Sequence, residues 1–84
     1  MKQFTMLDDG WFKLVSYGNG LAYLIVHKPS QTETYIHGDD AAQFERELDA
    51  IEIAKPALTY SETIGYAWGH LGYREMATPI PGSR

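Results

Sequence analysis

Three histidines, His27, His37 and His70, are the first residues to weigh for metal or proton-transfer chemistry. No two of them stand at the HxH, HxxxH or HExxH spacings that put ligands on one face of an element, so local sequence builds no metal site. Isolated surface or half-buried histidines are the blander reading, and the spacing favours it. The chain has no cysteine, which excludes disulfides, thiolate zinc sites and thiol nucleophiles. Ser16, Ser30 and Ser61 lie in no nucleophile elbow and show no partnered histidine. Gly18-Asn19-Gly20 is not a phosphate loop, because no Lys-Ser/Thr pair follows it and the next element reads as a strand. The expectation is a binding protein and not an enzyme, with no catalytic residue, metal or cofactor.

The carboxylates are more suggestive. There are 11 of them against 7 Lys and Arg, for a net charge of −4. Asp39, Asp40, Glu45, Glu47, Asp49 and Glu52 crowd into one predicted helix. Glu45, Asp49 and Glu52, at i, i+4 and i+7, share one flank of it, where like charges repel slightly. Arg46 and Lys55 are the local counter-charges. Such a stripe on a rigid helix could attract a basic protein surface or stand in for phosphates. The plainer alternative is a solvated helix face, with Asp39 and Asp40 explained by capping and the helix dipole. Paired catalytic carboxylates would need a cleft that separates their pKa values, and no cleft is readable here. The basic residues are scattered singly, so no direct nucleic-acid binding is expected.

The elements that must position these groups follow from period and punctuation. With 44% hydrophobic and 21% charged residues, the chain has the composition of a globular domain. Residues 11–17 and 21–28 are rich in aromatic and β-branched side chains, and Asn19-Gly20 between them is a hairpin signal. Pro29 sets a second turn before a third strand over 32–37, and residues 4–7 could add a short edge strand. A helix then starts at Asp39-Asp40, with Asp40 and Gln43 as a capping box, and runs to Ala54 ahead of Pro56. Its inner face is Ala41, Phe44, Leu48 and Ile51. Thr59 and Glu62 form a second capping box for a helix reaching Leu71, with Ile64, Ala67, Trp68 and Leu71 inward and Gly72 as its C-cap. Gly65, Gly69 and Gly72 form a stripe over which the first helix or a partner could come close. The predicted fold is α+β, in the order β-β-β-α-α with both helices on one face: a single domain over 1–76 and a flexible tail over 77–84.

The hairpin turn also sets the register, which sorts the side chains. Leu14 should oppose Ile25, Val15 oppose Leu24, Leu24 oppose Tyr35, and Tyr23 oppose Ile36. One face then holds Phe12, Leu14, Tyr23, Ile25, Thr34 and Ile36 and takes the helices. The other holds Trp11, Lys13, Val15, Tyr17, Ala22, Leu24, Val26, Glu33, Tyr35 and His37, too apolar for a freely solvated face. A slip of one residue would exchange the two sets.

These observations predict a small acidic interaction domain that binds an unidentified protein partner through Trp11, Tyr17, Leu24, Glu33 and Tyr35, through Glu45, Asp49 and Glu52, or through both. In size and charge alone, the chain resembles the small acidic inhibitors of host nucleic-acid machines encoded by phages and mobile elements, anti-CRISPR proteins among them. That resemblance implies occlusion of a surface or phosphate mimicry, and no motif carries it. The alternatives are a homo-oligomer, such as a homodimer, that buries the aromatic face against its own copy, or a small-ligand binder. Residues 1–10 lack an apolar run of signal-peptide length, and no stretch approaches the ~20 residues that span a bilayer, so a cytoplasmic chain without membrane contact is expected.

Overall fold

The computed structural model describes residues 3–18 and 20–80. Five strands form one antiparallel sheet in the order β1-β2-β3-β4-β5. They are β1 (Gln3–Asp8), β2 (Phe12–Tyr17), β3 (Ala22–His27), β4 (Thr32–His37) and β5 (Thr78–Pro79). Helices α1 (Asp39–Ala54), α2 (Tyr60–His70) and the short α3 (Tyr73–Met76) lie between β4 and β5 in sequence. The α+β class is as predicted; the strand count is larger, and the fifth strand follows the helices. The segment over 4–7 does form an edge strand, and it carries a β-bulge at Met6, between Thr5 and Leu7. Among the described residues no helix is long and apolar enough to cross a membrane.

The predicted register holds: Leu14 opposes Ile25, Val15 opposes Leu24, Leu24 opposes Tyr35 and Tyr23 opposes Ile36. The β2–β3 ladder closes at Tyr17 and Ala22, and the Leu21 N–H donates to the Tyr17 carbonyl at 3.0 Å. Asn19, half of the predicted turn, lies outside the described residues. Gly20 has φ 94°, so the position needs glycine for its backbone angle, and a Cβ there would also sit 2.6 Å from Glu45 Oε2.

Phe12, Leu14, Tyr23, Ile25, Thr34 and Ile36 are all buried on the helical side of the sheet. Ala41, Phe44, Leu48 and Ile51 of α1 and Ile64, Ala67 and Trp68 of α2 pack on them, as their helical spacing predicted. α2 has its predicted capping box: Thr59 Oγ1 accepts from the Glu62 N–H at 3.1 Å, and Glu62 Oε1 accepts from the Thr59 N–H at 2.8 Å. The box expected at Asp40 and Gln43 does not form. Gly38 is the N-cap of α1, which leaves Asp40 inside the first turn, where its charge complements the helix dipole.

Leu71 was expected inside and is 37% exposed. α2 ends one residue earlier, and Gly72 at φ 87° redirects the chain so that Tyr73 takes the inner position. The Tyr73 ring meets Phe44 edge-on at 5.4 Å, and its backbone carbonyl accepts from Thr34 Oγ1 at 2.9 Å. That anchor directs the following residues along β4. Thr78 and Pro79, placed by sequence in a tail, pair with Glu33 and Thr32, and the Ile80 N–H donates to the Gln31 carbonyl at 3.1 Å. Residues 81–84 of the predicted tail lie outside the described residues.

The glycine stripe does not mediate packing against α1. A Cβ on Gly65 would stand 3.3 Å from Phe12 Cε2, so the close approach is to strand β2, while Gly69 has nothing within 4 Å and Gly72 serves as the turn residue.

Candidate protein-interaction surface

Directly opposed residues of a sheet share a face, so the register defines the outer surface row by row. Gln3, Tyr17, Ala22 and His37 form one row. Thr5, Val15, Leu24 and Tyr35 form the next, and Asp8, Lys13, Val26, Glu33 and Thr78 the third. The helices lie on the opposite side. Tyr35 stands out from the middle of this surface at 56% exposure. Its ring meets Tyr17 edge-on at 6.1 Å and His37 at 5.4 Å. Leu24 and Glu33 are half-buried between the strands. Val15 and Ala22 are only 2% and 4% exposed although no helix covers them. They sit on β2 and β3, each flanked by a strand on both sides.

Trp11 does not join this cluster. It precedes β2 at the end opposite Tyr17, beyond the row that carries Lys13 and Glu33, and is 63% exposed. Its position is set by the β1–β2 turn. Asp9 Oδ1 accepts from the Trp11 N–H at 2.8 Å and the Phe12 N–H at 2.9 Å. The Ser61 hydroxyl and those two N–H groups hold the Asp9 carboxyl below its ordinary range. Nearby, Lys28 pairs with Asp8 and lowers that carboxyl as well, through its hydrogen bond and then its charge.

Glu45, Asp49 and Glu52 do share an exposed flank of α1, but on the helical side of the sheet, away from Tyr35. They edge a groove of about 420 Å³ that also includes Met6, Tyr23, Leu48 and Tyr60. The Tyr23 hydroxyl donates to Glu45. Burial, then the Glu45 hydrogen bond and charge, push the Tyr23 phenol well above its ordinary value. Burial and the Glu52 charge raise Tyr60. The eight predicted contact residues are therefore divided among three places: the outer cluster of Tyr17, Leu24, Glu33 and Tyr35, the isolated Trp11, and the groove edge.

The histidines remain apart. His70 stacks on Tyr66 at 4.3 Å on the exposed side of α2, and His37 belongs to the outer face. Among the described residues no group of three His, Cys, Asp or Glu could hold a metal ion. Ser30, which sequence left without a histidine, meets His27 Nδ1 at 2.6 Å and Thr32 Oγ1 at 2.7 Å. The signal was a three-residue separation across the Pro29 turn. The His27 ring packs against Phe12 at 5.1 Å and Trp68 at 5.4 Å, and burial, with Arg74 adding to it, lowers its pKa. The ring contacts and the hydrogen bond to Ser30 tie the β3–β4 connection to the core. Tyr23 also left a signal, since a tyrosine on a buried face must find a partner for its hydroxyl.

In comparison with known proteins, the chain matches no family, no curated protein and no solved structure.

Proposed function

We propose that this chain is a protein-interaction domain, not an enzyme, and that it acts by laying the outer face of its sheet over a partner's surface. One observation carries the reading: Tyr35 packs on both Tyr17 and His37, on the sheet face opposite all the helices. Aromatic residues with polar tips supply much of the energy of protein interfaces. A cluster already held in place loses little conformational freedom on binding. Surface occlusion of this kind suits an inhibitor of a larger machine. Phosphate mimicry is the weaker mode, because Glu45, Asp49 and Glu52 border a groove instead of forming a bare row. The test is partner capture by Tyr35→Ala with Tyr17→Ala, set against charge reversal at Glu45, Asp49 and Glu52. Loss of capture in the aromatic pair alone supports the sheet face; full capture by both variants overturns it.

The second reading, association with another copy, is favoured by β1, the edge strand of the described sheet, where Phe4 is 68% exposed. Analytical ultracentrifugation over a wide concentration range decides it. A mass that stays monomeric throughout removes self-association.

A further inference from the structure

The groove on the helical side has a chemistry of its own. Tyr23, Leu48 and Met6 make it partly apolar, Tyr60 offers a half-buried ring, and Glu45, Asp49 and Glu52 supply the charge. Among the described residues no Lys or Arg forms an ion pair with any of these three carboxylates; the two ion pairs of the described chain are Lys28–Asp8 and Arg74–Glu75. Tyr23 pins Glu45 through its hydroxyl, so one carboxylate is held in position before anything binds. The charge is spread along the helix and not gathered at a point. Seven residues of α-helix separate the first carboxylate from the last, about 10 Å at the usual rise. Among the described residues no three acidic groups converge tightly enough for a metal ion. A spaced row of negative charge beside aromatic and thioether surface matches an extended cationic side chain with an apolar stem.

We infer that this groove is a docking site for a basic, extended segment of a partner protein bearing two arginines one residue apart. Same-side residues of an extended chain recur every ~6.6–6.8 Å, so two fit along a ~10 Å acidic row. Arginine suits the site better than lysine. Its planar guanidinium forks onto carboxylates and stacks on an aromatic ring, while its methylenes lie on apolar surface. The site is separate from the outer sheet face and stands whether or not that face has a partner.

The test is isothermal titration of the intact chain at low salt with the blocked peptides Gly-Arg-Gly-Arg-Gly and Gly-Lys-Gly-Lys-Gly and with spermine. The arginine peptide should bind, the lysine peptide should bind more weakly, and added salt should weaken both. Asp49→Asn combined with Glu52→Gln should reduce arginine-peptide affinity about tenfold or more, the scale of losing charge-assisted contacts. Both positions are exposed, so the fold survives the change, and circular dichroism verifies it. Tyr35→Ala should leave peptide affinity unaltered, and the bound peptide should shift the Met6 methyl resonance. Equal affinity in the neutralised variant, no binding by the wild-type chain, or equal binding of the two peptides overturns the inference. Tighter binding of spermine than of the arginine peptide would assign the groove to small polyamines and overturn it as well.

Discussion

The two faces of one sheet carry similar complements of apolar and aromatic residues and meet opposite fates. On the inner face, Leu14 and Ile25 disappear beneath Phe44, Ile64 and Trp68. On the outer face, Tyr35 projects into open space from the strand that also holds the buried Ile36. Val15 and Ala22 complicate a simple division into wet and dry. They are as inaccessible as core residues, yet they stand on the face opposite the helices. Burial of a side chain therefore does not identify the core face of a thin sheet; the layer that packs on it does.

Substitutions can sharpen or break that contrast. Phe44→Ala should be the most damaging, at about 3–5 kcal/mol, because it opens a cavity where both layers meet. Urea denaturation measures this, and a loss below about 1 kcal/mol would mean that the inner face is not the core. Gly20→Ala should cost about 1–2 kcal/mol, since alanine at positive φ is strained and its methyl would press on the Glu45 carboxylate. The same denaturation assay should show Thr59→Ala losing about 1 kcal/mol through the cap of α2.

Alkaline pH probes the rim of the inner face. Tyr23 and Tyr73 both have phenols raised above the ordinary 10.0, by burial and by hydrogen bonds to Glu45 and Glu47 respectively. The folded chain thus keeps protons that the unfolded chain gives up. The associated stability is complete below about pH 10 and declines as pH rises beyond it towards the raised folded values. Urea midpoints at about pH 8 and about pH 11 should fall with pH, and the fall should be shallower in Tyr23→Phe. A midpoint with no pH dependence over that range would show that neither phenol is held in its protonated form. The smallest effect on stability belongs to the outer face: Tyr35→Ala should stay within about 0.5 kcal/mol in the same assay while changing association. A large loss of stability there would mean that Tyr35 supports the fold and not a contact.

Much of this arrangement was legible because it is local. Strand alternation around the Gly18–Gly20 reversal sets the register, and register alone assigns Leu14 and Tyr35 to opposite faces. Helical spacing picks out Ala41, Phe44, Leu48 and Ile51, and the Thr59 and Glu62 pair marks where α2 starts. Each of these depends on residues a few positions apart and on backbone geometry that every chain shares. Asp40 misled because the helix boundary falls two residues earlier, at Gly38 with its positive φ.

What tertiary structure alone decided involves distant partners. Tyr23 and Glu45, 22 residues apart, meet only because α1 docks at one particular angle across the sheet. The same docking brings Met6 and Tyr60 into the groove. Tyr73 displaces Leu71 from the core because Gly72 turns the chain towards Thr34, and β5 exists because that anchor delivers Thr78 and Pro79 to the edge of β4. Periodicity specifies which side of an element is apolar. It carries no information on the angle and depth at which elements pack, and those two quantities created the groove and separated it from the aromatic face.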